Sequence, residues 1–349
     1  MLLESYLSKY KMFTPFMTTG IGSLPYTEPE KACKLVLDTF DIPFWPQLPK
    51  LSFRESMIPQ FSEGMPFIKI DERKETIWIE RNRSDALTRF YETYSEDWKV
   101  AISESYAKGL YTFIGLLKNK RLKTLKGQIT GPLTFSLGLK DSVGRPVYFD
   151  EELREISLML LKAKIRWQIE ILKPYGEEII IFIDEPILSA LGSTSYIGVD
   201  PEETLRLLRE ITDAIKNAGG IPGIHCCGKA DWPLVINSDI RIISFDAYEY
   251  IETISMYPAE FTEFFKGGGY LAWGIIPTTD SIREESLDSI KRRFDNSVDR
   301  LSKSIPATLL LSQIMLTPSC GTGSKSIEET LKVFKTLVEL KGLIKGSSL

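Results

Sequence analysis

Residues 179–188 read IIIFIDEPIL. Five apolar residues follow one another with no in-and-out alternation, and the run stops on two carboxylates and a proline. An unbroken, Ile-rich run of this length suits a strand buried on both faces, the mark of a parallel sheet covered by helices. In such α/β folds side chains at the C-terminal ends of strands are placed for chemistry. Asp184 and Glu185 are therefore candidates for function, although one of them can equally cap the segment that follows.

Working outward, eight β-branched or apolar runs end in turn or polar residues, at 18–23, 42–45, 125–129, 179–183, 221–225, 242–245, 270–274 and 314–317. Helical periodicity fills most of the intervals, at 29–38, 85–117, 151–173, 201–217, 231–236, 259–265, 282–301 and 327–344. Several of these begin with N-terminal signals: Asp150 before Glu151 and Glu152, Asp200 before Pro201, and Ser326 before Glu328 and Glu329. Eight strands alternating with helices predict a (β/α)8 TIM barrel. The stretch 67–80, FIKIDERKETIWIE, alternates with period two about a charged turn and predicts a β-hairpin inserted between strands 2 and 3. With no repeat, low-complexity tract or long linker, one domain over 1–349 is expected, carrying an N-terminal extension over 1–16.

The 349 residues are 43% hydrophobic and 26% charged, with a net charge of −4, as expected of a globular chain with a large core. There is no basic excess to bind nucleic acid. No run approaches the roughly 18 apolar residues of a membrane span. Charges within the first eleven residues interrupt any signal-peptide core, so a cytoplasmic location is the default expectation. Four cysteines are too few for a disulfide framework and read as metal ligands, catalytic thiols or small buried hydrophobes. Cys33, inside a helical pattern, takes the last reading.

The single histidine lies in IHCCGK, 224–229. In extended backbone His225 and Cys227 share a side while Cys226 faces away, so a packed strand end and a metal site are both open to this pair. Adjacent cysteines make a poor redox pair, because the bridge between them is strained. Asp246 at the end of the sixth run and Cys320, in the turn-rich loop TPSCG beyond the eighth, would aim at the same barrel mouth and favour metal. GTGSKS at 321–326 lacks phosphate-loop order and is taken as a Gly-rich βα loop.

Six stretches in sequence order, TTGIGSLP (18–25), LKGQITGPLT (125–134), IDEP (183–186), HCC (225–227), IISFDAY (242–248) and TPSCG (317–321), together resemble the catalytic C-terminal half of cobalamin-independent methionine synthase. That family groups with the uroporphyrinogen-decarboxylase-like barrels and the zinc-dependent corrinoid methyltransferases. The resemblance implies transfer of a methyl group to the thiol of homocysteine, bound to Zn²⁺ as a thiolate. His225, Cys227 and Cys320 match its metal ligands, and Asp246 stands where the family has a glutamate. It further implies that Ile21, Gly22 and Ser23 hold the amino-acid carboxylate and that Asp184 pairs with the ammonium group. Glu55 is the candidate for a second amino-acid contact.

Two departures bear on the methyl donor. The resemblance does not extend to the N-terminal half of the long synthases, which contributes to folate binding. The family histidine after the seventh strand is also absent, where this sequence reads WGIIPTTD (273–280). The tertiary amine of methyltetrahydrofolate leaves well only when protonated, whereas a corrinoid needs no general acid. A methylcorrinoid, free or on a carrier protein, is therefore the expected donor. Methyltetrahydrofolate, with Asp280 as acid, is the rival. Other readings are methylation of a different thiol such as coenzyme M, a metal-free decarboxylase of the same barrel type, and a non-catalytic homocysteine sensor or corrinoid accessory protein.

Overall fold

The computed structural model describes residues 12–81, 85–95, 97–191 and 196–346, so residues 1–11 of the expected N-terminal extension lie outside the described part. Two short strands, β1 (Ile68–Asp71) and β2 (Thr76–Ile79), pair antiparallel as a separate sheet. Six further strands form one parallel sheet in sequence order: β3 (Leu122–Thr130), β4 (Gly176–Asp184), β5 (Ile221–Cys226), β6 (Ile242–Phe245), β7 (Tyr270–Ile276) and β8 (Ile314–Pro318). It is a curled α/β sheet, compatible with a TIM-like barrel.

The eight expected strands are thus six. Segment 18–23, which bends at Gly22, and segment 42–45 hold only single bridges, Thr18 to Leu316 on β8, Ser23 to Gln47, and Phe44 to Lys126 on β3. Composition explains this: Pro43 and Pro46 have no N–H to give to a ladder, and Gly20 and Gly22 weaken the other segment.

Strand β4 shows how the layers form. Ile179, Ile181 and Ile183 pack into the large cluster between sheet and helices. Ile180 and Phe182 join a second cluster on the concave side, with Phe13, Ile21, Ile42, Ile242, Tyr270, Ala272 and Met315. Burial on both faces is why the run is unbroken, each such side chain contributing about 1.5–3 kcal/mol.

Three helices start where their caps predict, whereas the helix expected from 282 begins at Leu287 after a separate turn, Asp280–Arg283. Asp150 accepts from the Leu153 N–H at 3.1 Å to open Glu151–Leu172, and Asp200 accepts from Glu202 and Glu203 to open Pro201–Asn217. Ser326 and Glu329 exchange reciprocal bonds of 3.1 and 2.9 Å at the head of Ile327–Gly346. The helix expected over 85–117 is instead two, Ala86–Thr93 and Lys108–Leu116. Between them the polar stretch SEDWK, 95–99, breaks the apolar period.

Candidate metal centre

Strand register sets the site. Asp184 on β4 lies beside His225 on β5, which lies beside Ser244 on β6, so these three occupy one level at the C-terminal end of the sheet. His225 is buried, and its Nδ1 lies 3.0 Å from the Ser244 hydroxyl. That bond orients the ring and leaves Nε2 facing Cys227 Sγ at 3.1 Å. Cys227 Sγ is in turn 2.9 Å from Cys320 Sγ. Both thiols are free, and the three ligand atoms lie within 4.8 Å of one another. The two sulfurs titrate as a pair: the Cys227 hydrogen bond holds Cys320 as the thiolate, while that charge and burial push Cys227 up.

A histidine nitrogen, two thiol sulfurs and a hydroxyl steadying the far ring nitrogen suit Zn²⁺, which takes this N/S donor set tetrahedrally. Cys226 faces the other way, fully buried in the helix-side cluster, and burial pushes its thiol up to about 12. The compact group holds three residues, not the expected four. Asp246 Oδ1 accepts from the Glu249 N–H at 3.0 Å and caps the turn Ala247–Tyr250. Burial raises this carboxyl to about 6, and it feels His225 and Cys320 without joining them.

The carboxylate pair of IDEP divides. Glu185 is fully buried and accepts from the Leu133 N–H at 2.8 Å, the Thr134 N–H at 2.9 Å and the Thr134 hydroxyl at 2.6 Å. It thereby caps the helix Pro132–Gly138 from just beyond the end of β4. Gly131 is required there, since a Cβ would fall inside the Glu185 carboxylate. Asp184 is buried as well, yet its Oδ1 has no hydrogen-bond partner. Burial raises its pKa, and the nearby His225 and Lys126 pull it back.

The 20–24 turn meets the loop after Cys320. Thr322 N–H donates to the Ser23 carbonyl at 2.9 Å and Gly323 N–H to the Ser23 hydroxyl at 3.3 Å. Gly321 must lack a side chain, because its Cβ would strike Ser23 Oγ. Among the described residues the N–H groups of Gly22 and Ser23 make no hydrogen bond, which leaves two donors for an anion. Ile21 itself is buried, in the concave-side cluster.

Glu55 is engaged by the backbone. It is buried, with Oε2 accepting from the Leu48 N–H at 2.9 Å and Oε1 from the Lys108 N–H at 2.8 Å. It caps the helix Lys108–Leu116, and burial raises it to about 7. Asp280 is a surface carboxylate paired with Lys325 at 3.1 Å and Arg283 at 3.7 Å. Sequence reading missed Lys126, which is fully buried on the concave side of β3. Its Nζ donates to the Ile21 carbonyl at 2.7 Å and stands over the Phe44 and Phe182 rings. The available signal was a charged residue in the middle of the otherwise uncharged stretch 124–134.

Among the described residues no helix is long and apolar enough to cross a membrane. No family model matches the sequence, and no curated protein matches it. Among solved structures, a B12-independent methionine synthase from a Shewanella species, in complex with selenomethionine, superposes with a TM-score of 0.62 at 15% identity, over 95% of this chain and 98% of that one. Weaker similarity extends to a GH20 module of a pneumococcal exo-beta-D-N-acetylglucosaminidase, with a TM-score of 0.44 at 11% identity over 96% and 86% of the two chains. A Bacteroidetes-affiliated GH5 cellulase follows, with a TM-score of 0.39 at 12% identity over 72% and 78%. At such identities the likeness is one of fold, and over nearly its whole length this chain has a methionine-synthase-like fold.

Proposed function

We propose that the chain is a single-domain (β/α)8 barrel and a zinc-dependent methyltransferase that moves a methyl group to the thiol of homocysteine, giving methionine. A methylcorrinoid, free or carried on a protein, is the proposed donor. The observation that carries this reading is the His225, Cys227 and Cys320 group, whose ligand atoms lie within 4.8 Å of one another at the strand ends. Those three would hold the metal, and three protein ligands leave one tetrahedral position open, the pattern of a catalytic zinc. When bound, the ion supplies the positive charge that keeps a thiol ionised at neutral pH.

The chain's own residues do the positioning. Asp184, with one oxygen unpartnered, receives the substrate ammonium, and the free N–H groups of Gly22 and Ser23 receive its carboxylate. Fixing both ends of the amino acid aligns its sulfur for in-line attack on the methyl carbon, and the new S–C bond forms as the bond from carbon to the donor breaks. The selenomethionine held by the Shewanella synthase supports an amino-acid acceptor over coenzyme M. For the donor, the sole histidine is occupied at the metal group, while Thr278 past β7 is bonded to Ser319 at 3.1 Å. The exposed, ion-paired Asp280 is no substitute acid.

The test is elemental analysis of reduced protein, expected to give one zinc per chain, followed by single-turnover methionine formation with methylcobalamin and with methyltetrahydrofolate. Protein lacking stoichiometric zinc, or Cys320→Ser protein that still methylates homocysteine, would sink the reading. Efficient turnover with the folate alone would reverse the choice of donor.

A further inference from the structure

A lysine inside an apolar core is costly unless something repays its desolvation. Lys126 shows no exposed surface, and its hydrogen-bond acceptors are the Ile21 carbonyl at 2.7 Å and Gln128 Oε1 at 3.5 Å, neither of them charged. The Phe44 and Phe182 ring centroids lie 5.1 and 4.6 Å from Nζ. Asp184, the carboxylate that bears on it electrostatically, makes no hydrogen bond to it.

From this arrangement we infer that Lys126 is a positioning residue for the acceptor's carboxylate, acting through the 20–24 turn. The inference rests on the functional reading above. In a trans peptide the C=O of one residue and the N–H of the next point in opposite directions. With the Ile21 carbonyl held down onto Nζ, the Gly22 N–H is turned away from the core, and it is one of the two donors without a partner. The Gln47 side chain beside Gly22 and the Gly321 and Gly323 backbone over Ser23 leave the turn little room to flip while that carbonyl is held. Burial lowers the Lys126 pKa to about 7 while Asp184 opposes that shift, and in its charged form the ammonium places positive charge beneath the turn, in a medium where charge is poorly screened. Lys126 thus serves to select an amino-acid thiol over a thiol with no carboxylate.

The experiment compares wild type with Lys126→Met, which is one atom shorter and removes the charge and the donor. Zinc content and melting temperature are measured first, then L-methionine binding by calorimetry, then methyl-transfer kinetics with homocysteine and with cysteamine, which has no carboxylate. Losing a charge-assisted contact predicts methionine binding and the homocysteine KM worse by roughly 10- to 100-fold, with kcat little changed. The cysteamine KM stays within about twofold and zinc remains stoichiometric, while the melting temperature reports separately the balance between removing a buried charge and orphaning the Ile21 carbonyl. Lys126→Arg, which keeps the charge, is expected to recover part of the discrimination; if the Met variant is insoluble, Lys126→Gln is read in the same assays. Unchanged methionine affinity, or an equal loss for both thiols, overturns the inference alone. Wild type that binds zinc but neither methionine nor homocysteine overturns the functional reading and this inference with it.

Discussion

Asp184 and Glu185 are neighbouring carboxylates in sequence and both buried, yet they live in different parts of the protein. Glu185 faces the helices and has three donors on its two oxygens, whereas Asp184 faces the concave side with one oxygen unpartnered. Cys226 and Cys227 divide the same way one strand along: the first is packed among helix-side hydrophobes, the second lies against His225 and Cys320. The period of two in a strand sends successive side chains to opposite faces. At this sheet it separates groups that hold the fold from groups left free to hold something else.

The largest effect expected from breaking this division is on the concave side. Cys320→Ser should lose its zinc on gel filtration and drop methyl transfer by roughly 1000-fold or more, since a catalytic metal commonly accounts for several kcal/mol of the barrier. Asp184→Asn comes next: it should raise the homocysteine KM by roughly 100-fold, as removal of one partner from a buried charge pair does. Its melting temperature should not fall, because the wild-type carboxylate is buried and incompletely bonded.

On the helix side the order of effects inverts. Glu185→Ala orphans two helix N–H groups and should cost about 2–4 kcal/mol in denaturant unfolding while leaving zinc content unchanged. Its cost should also depend on pH. Burial raises the Glu185 carboxyl from 4.5 to about 7, so the folded chain holds that proton more tightly than the unfolded chain does. The resulting stability is complete below about 4.5 and is lost as pH rises through about 7, so the gap between wild type and variant should narrow across that window. A gap that widens with pH would contradict the assignment. Smallest of all, Cys226→Ala should cost about 1 kcal/mol for a shallow cavity, with full zinc content and unaltered turnover; zinc loss there would erase the contrast with Cys227.

Much of the layout was readable before any coordinates. Unbroken apolar runs located the six ladder strands, and Asp150, Asp200 and Ser326 marked three helix starts, because burial and capping act over a few residues. Strand-end position and the motif resemblance point to His225, Cys227, Asp246 and Cys320 as a group, and the structure brings together all but Asp246. Four points were not readable. Single bridges at 18–23 and 42–45 depend on which N–H groups find partners across the sheet edges. The helix break between 93 and 108 depends on competition between local pattern and packing. Glu55, the candidate for a second amino-acid contact, accepts from backbone N–H groups on both oxygens, one of them at the head of a helix more than fifty residues away. Lys126 looked like an ordinary strand residue because nothing local reveals that its neighbours are two phenyl rings and a carbonyl.

By itself the sequence determined which residues share a face, where strands end and which atoms can bind a metal, since these follow from strand period, turn chemistry and side-chain type. Only the tertiary structure decided which buried carboxylates are satisfied by backbone N–H groups and which are left open. A hydrogen bond between residues fifty or a hundred positions apart is set by how the elements pack, and no short stretch of sequence carries that information.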